Sequence, residues 1–182
     1  MSGFEIRFSG AGGQGLQLCA KLLSAALARE GKTVAASQGY EPTSRGGLSR
    51  SDMVVSDKGA AEYPLVTALD YLLVLDRAAA GLSEGLVRKD GLILADTRRV
   101  DKIPGGKYEI RQMPFSETAM RLGNERVANV IALSALIAIS GICTRETLEQ
   151  TIRTGTPPKF LDLNIEAMNE GYAMADEEVA AA

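Results

Sequence analysis

Two stretches of the chain combine residue types and spacings that could do chemistry. Residues 8–16, Phe8-Ser9-Gly10-Ala11-Gly12-Gly13-Gln14-Gly15-Leu16, place Gly10, Gly12 and Gly15 at G-x-G-x-x-G spacing. Between a strand and a helix, that spacing lets backbone N–H groups approach a phosphate-bearing cofactor. Residues 38–52, QGYEPTSRGGLSRSD, carry Arg45 directly before Gly46 and Gly47, with Arg50 close behind. Paired glycines permit close backbone approach. An arginine fork binds a carboxylate or phosphate in bidentate fashion. Tyr40 and Pro42 can pack and stiffen the same loop. The plain alternative is that Arg45 and Arg50 are solvated loop charges.

Much other chemistry is excluded. The 182 residues contain no histidine, so no imidazole can act as base or triad member. The two cysteines, Cys19 and Cys143, fall short of the roughly four thiolates of an iron–sulfur cluster. They also fall short of the usual four ligands of a structural zinc. Both read as small core residues within helical patterns. A net charge of −3 supplies no basic field for nucleic acid. No apolar run approaches the ~20 residues that span a bilayer, and the first residues show no signal-peptide core. The expected location is the cytoplasm.

The elements that must position the two stretches follow from periodicity. FEIRFSG (4–10) alternates as a strand, and Leu16, Cys19, Ala20, Leu23, Ala26 and Leu27 recur at helical spacing up to a stop at Gly31. KTVAAS (32–37) is a second strand. With the first it predicts a βαβ unit, a parallel pair joined by a right-handed crossover. Residues 38–52 read as a loop, 51–57 as a strand, 70–76 and 91–96 as strands buried on both faces, and 107–113 as a further strand. A short helix is expected over 78–88. After Pro114 come a short helix, an all-round apolar helix (125–141), a helix capped by Thr144, and a last amphipathic helix (157–180). Asp52, Asp57, Asp70 and Asp76 read as turn and capping residues. The expected architecture is one α/β domain over 1–182: a Rossmann-like three-layer α/β/α arrangement with a mostly parallel sheet, helices on both faces and a helical C-terminal third.

A dinucleotide site needs more than the glycine turn. An acid about 20 residues on should accept from the ribose hydroxyls. Ser37 and Gln38 stand there instead, and Gln14 adds a long polar side chain at the mouth of the turn. The turn then remains open to three uses: tight helix–sheet packing, a different ligand, or contact with a partner chain.

GAGGQGLQLCAKLLSAALAREGKTV followed by QGYEPTSRGGLSRSDMVVSD resembles the gamma subunit of 2-oxoacid:ferredoxin oxidoreductases. The 2-oxoglutarate type is nearest, and the pyruvate, ketoisovalerate and indolepyruvate enzymes are related. The match rests on the Gly10–Gly15 turn and the Tyr40–Ser51 loop at their mutual spacing, with weaker support from RVANVIALSALIAISG, and it covers essentially the whole chain. Thr43-Ser44 stands where many 2-oxoglutarate-type relatives have Glu-Ala. Gln17-Leu18-Cys19 replaces the usual small or aliphatic residues.

The resemblance implies a subunit of an enzyme that converts a 2-oxoacid and coenzyme A (CoA) to acyl-CoA and carbon dioxide while reducing ferredoxin. It implies thiamine diphosphate between alpha and beta subunits, iron–sulfur clusters on beta and delta, and neither centre on this chain. The gamma domain is expected beside the active site on the CoA side. The ligand-facing set is then Gly10, Gly12, Gly13, Gln14, Gly15, Ser44, Arg45, Gly46, Gly47 and Arg50, with no residue of this chain performing the reaction. A chain built for such a complex should carry apolar surface on the loop rim and on the last helix, around Phe160, Leu163, Met168 and Tyr172, and could pair as a homodimer when alone. Two other functions stay open: a free-standing Rossmann-type nucleotide binder or dehydrogenase, and a purely structural assembly subunit.

Overall fold

The computed structural model describes residues 3–40, 47–57, 59 and 63–181. Ser44, Arg45 and Gly46 lie outside these described residues. Strands β1 (Gly3–Ala11), β2 (Thr33–Tyr40), β3 (Leu48–Ser56), β4 (Leu69–Val74), β5 (Val87–Asp96) and β6 (Glu109–Met113) form one sheet. The helices are α1 (Leu16–Arg29), α2 (Phe115–Arg121), α3 (Ala128–Ser140), α4 (Arg145–Gly155) and α5 (Pro158–Ala181). The strand order is β2-β3-β1-β4-β5-β6. β1, β4, β5 and β6 pair in parallel, and β3 runs antiparallel to both β1 and β2.

The α/β class, the mostly parallel sheet and the helical C-terminal third are as the sequence predicts. The βαβ unit differs. β2 points the same way as β1, but β3 lies hydrogen-bonded between them, so the two are not a pair. β3 starts at Leu48, inside the stretch read as loop, because the polar run Ser49-Arg50-Ser51-Asp52 pairs with Gly10 to Arg7. Ladder bonds satisfy that backbone whatever its side chains.

Period-two alternation divides the core. Phe4, Ile6, Phe8, Met53, Val55, Leu73, Leu75, Leu92 and Leu94 face the helices. Leu72, Val74, Ile93 and Ala95 face the other way. All five α-helices contribute to the first core. α3 is buried nearly all round, as its composition predicts, and Gly171 of α5 lies against it. A Cβ at Gly171 would fall on the Ile131 carbonyl and 2.7 Å from Ser134 Cβ.

The third layer is thin. Ala79, Val100 and Ile103 cover the second face. The expected helix over 78–88 is two 3₁₀ turns, Arg77–Ala79 and Glu84–Leu86, separated at Gly81, whose φ is +84°. Under this layer, Asp52 is no turn residue. It sits within β3, and its carboxylate grips Arg7 of β1 with both oxygens at 2.7 Å.

Two further expectations change. Cys19 lies in α1, but Cys143 lies in the turn before Thr144 rather than in a helix. Thr144 does cap α4, accepting from Thr147 N at 3.2 Å. On α5, Phe160 is exposed, but Met168 and Tyr172 are buried in the helical core and offer no partner surface.

Candidate functional site at the C-terminal edge of the sheet

The chain leaves β1 through α1 on the helical face and travels toward the β2 edge. It leaves β4 through the 3₁₀ turns on the opposite face and travels toward β6. β1 and β4 are therefore the topological switch point, where open α/β sheets bind ligands beyond the carboxyl ends of their strands. The glycine turn stands at that point.

Its geometry is held by side chains from three directions. Gln14 folds inward: its Oε1 accepts from Ala11 N at 2.8 Å and its Nε2 donates to the Leu75 carbonyl at 3.0 Å. The turn after β1 is thus stapled to the end of β4. A Cβ at Gly10 would meet the Gln14 amide oxygen, so a side chain there would push Gln14 off its bond to Ala11 N. Gly15 caps α1 with φ of +76°, and Asn129 at the start of α3 donates to its carbonyl at 3.1 Å. Gly12 N donates to the Gly47 carbonyl at 2.9 Å. This bond ties the glycine turn to the residue that follows Arg45-Gly46 in sequence. The N–H groups of Gly13, Gly15, Leu16 and Gln17 have no acceptor among the described residues. They are the donors a helix N-terminus offers to an anion.

Gly10, Gly12, Gly13, Gln14, Gly15 and Gly47 are thus brought together. Gln14 spends its amide inside the protein rather than at the mouth of the turn. Arg50 is exposed on β3 between Ser9 and Gly39, and its side chain lies along Gly39.

The second wall was not singled out from sequence. Asp96, fully buried at the end of β5, accepts from Arg98 N at 2.9 Å and Arg99 N at 3.0 Å through Oδ1, and from Ser116 N at 2.6 Å through Oδ2. One carboxylate thus sets both the turn after β5 and the start of α2. Arg99 then reaches Glu125 at 2.5 Å and Asp76 at 3.5 Å. Asp76 also caps the first 3₁₀ turn, as predicted for it. A crevice of about 110 Å³ opens between Gly13, Gln14, Leu75, Arg99, Ser116 and Arg126. The sequence signals were faint: an Asp ending the apolar run GLILAD, and one Asn inside VANVIAL.

The geometry argues against a dinucleotide. With β3 inserted, the end of β2 lies two strand spacings from β1, about 10 Å. Ser37 there donates to the Pro64 carbonyl. Among the described residues no acid stands at the end of β2.

The cysteines do not fit a cluster. Cys19 is buried, its thiol donating to the Asn129 carbonyl, and burial pushes it up to about 12. Burial and the neighbouring Glu30 carboxylate push Cys143 up to about 12. A cluster binds about four thiolates, and this chain carries two cysteines. Among the described residues no group of three or more Cys, Asp or Glu is placed to hold a metal ion, and no helix is long and apolar enough to cross a membrane.

Residues 5–174 match the family described as pyruvate ferredoxin/flavodoxin oxidoreductase. The 2-oxoglutarate synthase subunit KorC of Methanocaldococcus jannaschii is 33% identical over 177 residues, covering 95% of this chain and 94% of the relative. The crystal structure of a keto/oxoacid ferredoxin oxidoreductase gamma subunit from Geobacter sulfurreducens superimposes with a TM-score of 0.83 at 35% identity, covering 94% of this chain and 98% of that one. A 2-oxoglutarate:ferredoxin oxidoreductase from Magnetococcus marinus, solved with 2-oxoglutarate, CoA and succinyl-CoA, shares the fold with a TM-score of 0.85 at 22% identity. This chain matches 32% of that longer one.

Proposed function

The chain belongs to the pyruvate ferredoxin/flavodoxin oxidoreductase family, and from that premise we propose that residues 1–182 act as one gamma-type domain that presents the glycine turn to CoA. The chain is a gamma subunit of a multi-subunit 2-oxoacid:ferredoxin oxidoreductase, and it does not itself carry out the reaction. Its partners are alpha, beta and delta subunits in the cytoplasm. Thiamine diphosphate and the iron–sulfur clusters reside on those partners; two cysteines are too few for a cluster here. Ferredoxin meets the complex rather than this chain, and the isolated chain can pair as a homodimer.

One observation carries the CoA-facing role. A pre-set glycine turn, with N–H donors that no described residue accepts from, stands at the β1/β4 switch point, while the inserted β3 removes the geometry a dinucleotide would need. Phosphates of CoA suit those donors. Gly10, Gly12, Gly13, Gln14 and Gly15 form the floor, with Gly47 and Arg50 beside it. Ser44, Arg45 and Gly46, outside the described residues, are assigned to the same ligand by their place in the sequence.

The test is assembly and turnover together. The purified chain alone should neither oxidise 2-oxoglutarate nor reduce ferredoxin, even with added thiamine diphosphate and CoA. Co-expressed with its partners, it should co-purify and yield CoA-dependent ferredoxin reduction that is lost when this chain is omitted. Full activity of the complex without it would contradict the role.

A further inference from the structure

The small crevice beside the glycine turn has a larger neighbour. An open groove of about 800 Å³ runs along the same edge, lined by Arg77, Arg98 and Asp101 among others. Arg99 and Glu125 line both spaces. Their contact, Nη2 to Oε1 at 2.5 Å, stands between them.

Both partners are fixed at the backbone. Asp96 holds the Arg99 backbone N–H, and the 3₁₀ turn capped by Asn124 holds the Glu125 backbone. The side chains are half in water, at 36% and 45% exposure. Such a pair is worth little in water and is readily exchanged for another anion. Arginine prefers a partner that it can engage through two parallel N–H groups, and Glu125 uses one. The small crevice also offers reasons for an anion to enter. Arg126 lines it with no carboxylate partner among the described residues. Ser116 lines it as well, and its hydroxyl has no hydrogen-bond partner among the described residues.

We propose that the Arg99–Glu125 pair is a displaceable latch, which a phosphate-bearing ligand opens by taking Arg99 from Glu125, joining crevice and groove into one channel. The ligand is CoA if the proposed function holds, and the latch rests on that reading. Asp76, 3.5 Å from the other Arg99 nitrogen, keeps the guanidinium from swinging clear of the channel when Glu125 is released. Glu125 then acts as a positioning residue that sets how tightly the ligand must bind to enter.

The experiment is steady-state kinetics of the assembled enzyme with CoA varied at saturating 2-oxoglutarate. Glu125→Gln should lower KM for CoA about threefold, because the competitor for Arg99 is gone. Arg99→Gln should raise KM for CoA about tenfold. In the double variant the Glu125→Gln effect should vanish, which a merely structural role for Glu125 would not produce. KM unchanged or raised in Glu125→Gln, or lowered equally in the Arg99→Gln background, overturns the latch. A wild-type complex that turns over without CoA would instead refute the proposed function, and with it the latch.

Discussion

Asp52→Ala is expected to destabilise the chain by about 3–5 kcal/mol, a large share of the ~5–15 kcal/mol that holds a typical domain together. Arg7 and Asp52 face each other across the β1–β3 ladder. Both side chains are buried, at 6% and 8% exposure, and two bonds of 2.7 Å join them, with Ser83 Oγ 3.0 Å from the third guanidinium nitrogen. The pair itself need not stabilise much, since desolvating two charges offsets most of their attraction. Removing one partner is different. It leaves a guanidinium that cannot lose its proton sealed under the 3₁₀ layer. Urea unfolding of Asp52→Ala and of the double variant Arg7→Met/Asp52→Leu separates these effects. The double variant should recover most of the loss. A single-variant cost below about 1 kcal/mol would place the pair with ordinary surface bridges.

Arg45→Ala should lower kcat/KM of the assembled enzyme about tenfold to a hundredfold, the loss of a charge-assisted contact of roughly 1.5–3 kcal/mol. Arg45 lies outside the described residues, but Gly47, two positions on, is bonded to Gly12 of the turn. The segment that carries Arg45 therefore ends at the site. Arg45→Lys should recover only part of the activity, because an ammonium cannot copy the planar fork. Kinetics with both 2-oxoglutarate and CoA varied locate the contact by which KM moves. If Arg45→Ala assembles normally and leaves both KM values and kcat unchanged, the loop is an interface or a solvated turn, and the structural-subunit reading prevails.

What could be read from sequence follows the range of the forces involved. α1 was legible because Leu16, Cys19, Ala20, Leu23, Ala26 and Leu27 recur along one face, and all are buried. α3 was legible because its apolar run has no polar face to leave in water. The Thr144 cap is a bond three residues long. Long-range pairing was not legible. β3 inserts between β1 and β2, and a local pattern of Ser, Arg and Asp cannot announce that its backbone will be shared with Arg7–Gly10. Asp52 reads as a turn residue until Arg7 is seen 45 positions away. Asp96 bonds Ser116 N, 20 positions on, and Asn129 reaches back 114 positions to Gly15. Of the candidate site, the glycine turn was visible in the sequence, while the wall that closes it was set by such distant single bonds. The apolar residues of α5 misled for the same reason: Met168 and Tyr172 look like partner surface until α3 and α4 are packed against them.

Amide hydrogen exchange in the assembled complex, with and without CoA, tests most directly whether this edge of the sheet faces the ligand. The N–H groups of Gly13, Gly15, Leu16 and Gln17 should exchange freely without CoA and slow markedly with it, while the ladder amides of β1 and β4 stay protected in both states. Slowed exchange across residues 13–17 is the predicted result. Unchanged exchange there, under conditions where CoA supports turnover, would contradict it and leave the glycine turn to packing or a partner chain.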